Sequence, residues 1–87
     1  MSIDAIKATW KLGKETINSS QKILLLALAD RADEDGFCYP SMQRLLEDTL
    51  LSEIIFNKNI KILTEKELIK VIDDKIIQLV YLKIINK

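Results

Sequence analysis

Residues 49–63, TLLSEIIFNKNIKIL, hold the reading on which the fold turns. Ser52 can cap a helix by accepting a hydrogen bond from a free backbone N–H, and Glu53 then sits in the first turn, where the helix dipole favours an acid. Counting 100° per residue from Phe56, Ile60 and Leu63 fall within about 40° of it, so Phe56, Ile60 and Leu63 form one buried stripe. Ile54, Lys58 and Lys61 fall on the opposite side. Ile55 and Ile62 share one flank, with Asn59 between that flank and the core. The spacing predicts an amphipathic helix whose outward face is unusually apolar at its start.

Upstream, Pro40-Ser41 is a start signal for a short helix over MQRLLEDT, with Ser41 as its cap and Leu45 and Leu46 toward the core. FCYP before it suits a brief strand. Further back, SSQKILLLALADRAD reads as a central core helix with its N-cap at Ser19-Ser20, stopped by Asp35-Gly36. Residues 3–12 carry Ala5, Ile6, Ala8, Trp10 and Leu12 at helical spacing, and Gly13 ends them. Downstream, LIKVIDDKIIQLVYLKIINK is rich in β-branched residues around a polar Asp73-Asp74-Lys75, which predicts a hairpin of about 68–72 and 76–84. Both faces of those strands carry apolar residues, more than one small helical layer covers. The order is helix, helix, short strand, helix, helix, strand, strand. The fold class is α+β, mainly helical: a winged helix-turn-helix of three to four helices plus a C-terminal β-hairpin wing. At 87 residues, the expectation is a single domain over 1–87.

Composition excludes several classes of function. Apolar residues make up 48% and charged residues 30%, which is a folding chain and not a disordered one. There is no histidine, so the commonest general base and metal ligand is missing, and one cysteine cannot complete a zinc site. Gly13 and Gly36 make no phosphate loop, and Asp33-Glu34-Asp35 sits in a polar DEDG turn that reads as solvated. The expectation is no enzyme, no metal and no cofactor. Cys38 reads as a small buried hydrophobe between Phe37 and Tyr39. No apolar run approaches a membrane span and the first residues lack signal-peptide order, so the expectation is a cytoplasmic protein with no membrane partner.

Several of these stretches together resemble a known family. SSQKILLLALADRADEDGFCYPSMQRLLEDT is similar to the winged helix-turn-helix domain at the N-terminus of phage and plasmid replication-initiation proteins, through Ser19, Lys22, Leu25, Leu26, Ala29-Asp30, Ala32-Asp33, Gly36 and Tyr39-Pro40-Ser41. MSIDAIKATWK resembles the way such domains begin, and the likeness covers about residues 1–70. It implies double-stranded DNA as partner and a role in replication initiation or transcriptional regulation. The family's reading segment, T-G-L-S-x-R-T-V-x-R-x-I-x-x-L-x-x-x-G-L-I, is matched at Thr49, Leu51, Ser52, Ile60, Leu63, Leu68 and Ile69, with Phe56 for valine. Leu50 and Glu67 stand where the pattern has glycines, so either those turns are remodelled, the helix runs past Glu67, or both residues bear a left-handed backbone. Ile54-Ile55 replace an Arg-Thr pair, which removes guanine and phosphate contacts and leaves at most a thymine methyl to touch.

Two functions remain in competition. The DNA-binding candidates are Arg44, Ser52, Asn57, Lys58, Asn59, Lys61 and Lys75, with the two asparagines able to reach base edges and Lys58 at the family's second arginine position. Lys70 adds to them, while Glu47, Asp48, Glu53, Glu65, Asp73 and Asp74 oppose them. Thirteen basic residues balance thirteen acidic ones, which disfavours strong non-specific DNA affinity and also an acidic DNA mimic. The alternative is a protein-interaction module on the same scaffold, a phage-encoded inhibitor or a dimerising adaptor. Ile54, Ile55, Ile62, Ile77 and Ile85 are its candidate interface, for a protein partner or a homodimer. Against both stands the plain reading that Ile55 and Ile62 are core residues of a slightly rotated helix.

Overall fold

The computed structural model describes residues 3–73 and 76–81. Its order matches the expectation: α1 (Ile3–Trp10), α2 (Ser19–Asp30), β1 (Phe37–Cys38), α3 (Met42–Thr49), α4 (Glu53–Glu65), β2 (Ile69–Asp73) and β3 (Ile76–Leu79). The three strands form one antiparallel sheet in the order β1-β3-β2. Cys38 is opposite Ile77 on one side of β3, and Val71 is opposite Ile77 on the other. A bulge between Val71 and Asp73 kinks the hairpin near its tip. This is the winged helix-turn-helix expected from the sequence, with α3 and α4 as the two helices of the motif and β2–β3 as the wing.

α2 is the centre of the molecule. Leu24, Leu25 and Leu28 are fully buried, and α1, α3 and α4 all pack on it. Its cap differs from the expectation by one residue. Asn18, not Ser19 or Ser20, closes a capping box: Asn18 Oδ1 accepts from Gln21 N–H at 2.9 Å, and Gln21 Oε1 accepts from Asn18 N–H at 3.1 Å. The helix also stops earlier than Gly36, at Asp30. The DEDG segment is a separate turn in which Asp33 Oδ1 accepts from the N–H groups of Asp35 and Phe37. Gly36, at φ 83°, supplies the left-handed residue it needs.

The two positions where glycine was expected keep the left-handed backbone without glycine. Leu50 closes α3 at φ 61°, and Glu67 follows α4 at φ 61°. After α4 the Glu67 N–H donates to Thr64 O at 3.0 Å, and the Leu68 N–H reaches Leu63 O at 3.1 Å. That pair of bonds is a Schellman motif with glutamate in the left-handed seat. The helix therefore ends on time and does not run past Glu67.

β3 ends at Leu79, earlier than the expected strand to residue 84, and the turn of Val80 and Tyr81 after it is tied back to α1. Tyr81 is buried, and its hydroxyl lies 2.5 Å from Thr9 Oγ1, itself buried and donating to Ala5 O at 2.7 Å. Because the threonine's one proton is used on Ala5, the tyrosine is the donor to Thr9. Burial pushes the Tyr81 hydroxyl up to about 12. Ile69, Ile77 and Leu79 face the core, whereas Val71 and Ile72 are exposed. No helix among the described residues is long and apolar enough to cross a membrane.

Candidate nucleic-acid interface

Ser41 and Ser52 fix the directions of α3 and α4. Ser52 Oγ accepts from the Ile55 N–H at 3.2 Å, and Ser41 Oγ accepts from the Arg44 N–H at 3.4 Å. Thr49, buried between the helices, donates to Leu45 O at 2.7 Å and accepts from the Leu51 N–H at 3.3 Å. The tight turn is thus stitched by one hydroxyl on each side of Leu50. Arg31, at the end of α2, holds Asp48 at 2.5 Å across to α3. Nothing in the sequence marked that pair, which lies 17 residues apart.

α4 buries Phe56 and Leu63, with Ile60 packed against the core, as the periodicity required. Its outward arc carries Glu53, Ile54, Ile55, Asn57, Lys58, Lys61 and Glu65. Ile54 is 81% exposed and Ile55 38%, so neither is a core residue. Ile62 is half-buried, between the two readings offered for it. Leu50, 88% exposed in the turn just before α4, is a further exposed apolar residue that was absent from the expected patch.

Two expected site residues are not available. Asn59 is buried, and its amide donates to Ser20 Oγ at 3.1 Å, so it joins α4 to α2 instead of reaching a base edge. Ser20 passes the chain on to Asn18 Oδ1 at 2.9 Å, which couples the position of α4 to the cap of α2. Ile77 is buried under the sheet and cannot serve as an exposed interface residue, because its alternation along β3 points it inward. Lys75 and Ile85 lie outside the described residues.

Arg44, Lys58, Lys61 and Lys70 are all exposed, as are Glu47, Glu53, Glu65 and Asp73. Asp48 is removed from that balance by Arg31. Lys66, just past α4, donates instead to Thr16 O and braces the loop before α2. Between α4 and the wing runs an open groove of about 200 Å³, lined by Pro40, Met42, Phe56, Asn57, Val71 and Ile77 among others. Its apolar floor holds no acid–base pair. Cys38 donates its thiol to Leu28 O at 3.1 Å, and burial raises it to about 12, so it is an inert core residue. Among the described residues no cluster of carboxylates or thiols is arranged to hold a metal ion.

No curated protein and no solved structure matches the chain. A family described as "Helix-turn-helix domain" matches residues 15–69, a span that runs from the loop before α2 through α3 and α4 to the first residue of the wing. With well over half of its length inside that match, and with α3, the left-handed Leu50 turn and α4 following one another within it, the chain belongs to the helix-turn-helix domain family.

Proposed function

We propose that this protein binds double-stranded DNA, with α4 in the major groove and the β2–β3 wing beside it, in replication initiation or transcriptional regulation of the phage or plasmid type. The observation that carries the reading is the outward arc of α4, where Asn57, Lys58 and Lys61 stand together on the second helix of a helix-turn-helix. Arg44, at the start of α3, and the capping Ser52 are the further contacts to phosphate, and Lys70 on β2 extends them along the wing. The resemblance to replication-initiation domains supports the biological setting. An anisotropy titration on a random-sequence duplex at about 50 mM salt tests it, since phosphate contacts act strongly there. Saturable binding that weakens steeply as salt rises is expected; no binding overturns it.

A second reading rests on Leu50 and Ile54, whose exposure is large for a small domain. It is a protein-interaction surface on the same helices, for a second copy or another protein. A mass measured by light scattering at high concentration distinguishes self-association from a monomer. Introducing Ile54→Arg together with Ile55→Thr restores the family's contacts. If DNA affinity emerges only in that double variant, the natural face has another partner.

A further inference from the structure

The composition of the outward face of α4 selects among base pairs. In the major groove, guanine is read by arginine or lysine at O6 and N7, adenine by asparagine or glutamine at N6 and N7, and the thymine methyl by an apolar side chain. α4 contains no arginine. Its two amides are separated by the fold: Asn59 is buried on Ser20, which leaves Asn57 as the exposed one. Counting about 100° per residue from Phe56 places Ile54 about 160° away, between Lys61 at about 140° and Lys58 at about 200°. The most exposed apolar residue of the helix, Ile54, is therefore at the middle of its solvent arc.

Position along the helix matters as much as angle. The N-terminal residues of a recognition helix contact base edges. Ile54, Asn57 and Lys58 lie in the first two turns, with Lys58 about 100° round the helix from Asn57, and Lys61 lies in the third. Glu53, also exposed in the first turn, accepts only from exocyclic amino groups, adenine N6 or cytosine N4, and repels phosphate, so it makes no contact to thymine or to guanine O6 and N7 and does not by itself separate A·T from G·C.

We propose that α4 reads A·T pairs, with Ile54 packed on the C5-methyl of thymine and Asn57 bonded in paired fashion to N6 and N7 of adenine, while Lys58 and Lys61 hold the flanking phosphates. The inference rests on the DNA-binding reading above and adds the class of site. An isoleucine in water is idle there; against a thymine methyl, both apolar surfaces leave water together.

The test uses three duplexes: alternating A·T, the same duplex with every thymine replaced by uracil, and alternating G·C. Uracil lacks only the C5-methyl. The thymine duplex is expected to bind at least about fourfold tighter than the uracil duplex, the worth of one buried methylene-sized group, and tighter than the G·C duplex. In Ile54→Ala, whose single methyl buries less against the base, the thymine-to-uracil ratio falls well below that of the natural protein. The substituted position is exposed and alanine is a good helix former, so that variant folds. Replacing adenine by 7-deazaadenine, which removes N7 and keeps base pairing, weakens the natural protein and leaves Asn57→Ala unaffected. Equal affinity for thymine and uracil duplexes, preference for G·C, or a thymine preference undiminished in Ile54→Ala overturns the proposal and leaves DNA binding standing. Failure to bind any of the three overturns the DNA-binding reading itself.

Discussion

Leu50→Gly is expected to stabilise the protein, although it deletes a leucine side chain. Leu50 holds φ 61° and is 88% exposed, so the substitution sacrifices almost no buried surface. A side chain with a Cβ in the left-handed region costs about 1–2 kcal/mol. Glycine returns about 0.5–1 kcal/mol of that through the greater freedom of the unfolded chain. The net gain is about 0.5–1 kcal/mol. The bond from the residue-50 N–H to Leu46 O, 3.0 Å, is a backbone bond and survives. Glu67→Gly follows the same arithmetic at the other end of α4, where the side chain is also exposed and the φ is also 61°. The two sites are separated by the length of a 13-residue helix, about 20 Å, so their effects add to about 1–2 kcal/mol. For a domain this small, that raises the melting temperature by several degrees. Thermal and urea unfolding followed by circular dichroism read the change. Lys58→Gly is the control: it carries the same glycine freedom at an exposed position of right-handed helix and should cost about 1 kcal/mol. If Leu50→Gly destabilises the protein as much as Lys58→Gly does, the argument from the left-handed backbone is wrong.

Asn59→Ala, which removes the buried amide from Ser20, should cost about 1–2 kcal/mol in urea unfolding, against under about 0.5 kcal/mol for the exposed Lys61→Ala; equal costs would mean that Asn59 is not the tie between α4 and α2. Tyr81 predicts an alkaline weakness. Its folded value, about 12, is raised above the ordinary 10.0 by burial, so its contribution is complete below pH 10 and is lost as the pH rises from 10 toward 12. That loss is roughly 3 kcal/mol, and Tyr81→Phe should remove this part of the pH dependence while losing about 1 kcal/mol at neutral pH for the bond to Thr9. A Tyr81→Phe protein with an unchanged alkaline transition would contradict the assignment. Asp48→Asn should change stability by no more than about 1 kcal/mol, because the Arg31–Asp48 pair is about one-third exposed on each side and screened by solvent; a larger loss in a thermal melt would show that the pair anchors α3.

The element order was readable because each segment announced its own period. The stripe Phe56, Ile60, Leu63 and the caps Ser41 and Ser52 are local signals, and local signals place helices. The cap of α2 was displaced by one residue because Asn18 and the two serines after it are all competent caps; Gln21, three residues past Asn18, was the deciding feature. The glycine positions of the resembled pattern proved informative even where glycine is absent, since Leu50 and Glu67 both take the left-handed backbone that the pattern demands.

The site was less legible, for a reason that Asn59 illustrates. An asparagine on the flank of a recognition helix looks available to a base, and what removes it is Ser20, 39 residues away in the chain. Asp48 is neutralised by Arg31 in the same non-local manner, and Lys66 is occupied by Thr16. Ile77 was misplaced because both faces of the wing strands are apolar, so alternation alone could not tell inside from outside. Side chains whose partners lie in another element cannot be assigned by spacing within their own.

The most direct test of the central claim is the salt dependence of duplex binding in lysine variants on two faces. Each phosphate contact contributes about −0.9 to the slope of log affinity against log salt. Lys58→Ala and Lys61→Ala on α4 should each flatten the slope by about that amount, while Lys7→Ala and Lys11→Ala, exposed in and just after α1 and outside the helix-turn-helix pair, should leave it unchanged. A slope that responds to the lysines of α1 and ignores those of α4 would contradict the account.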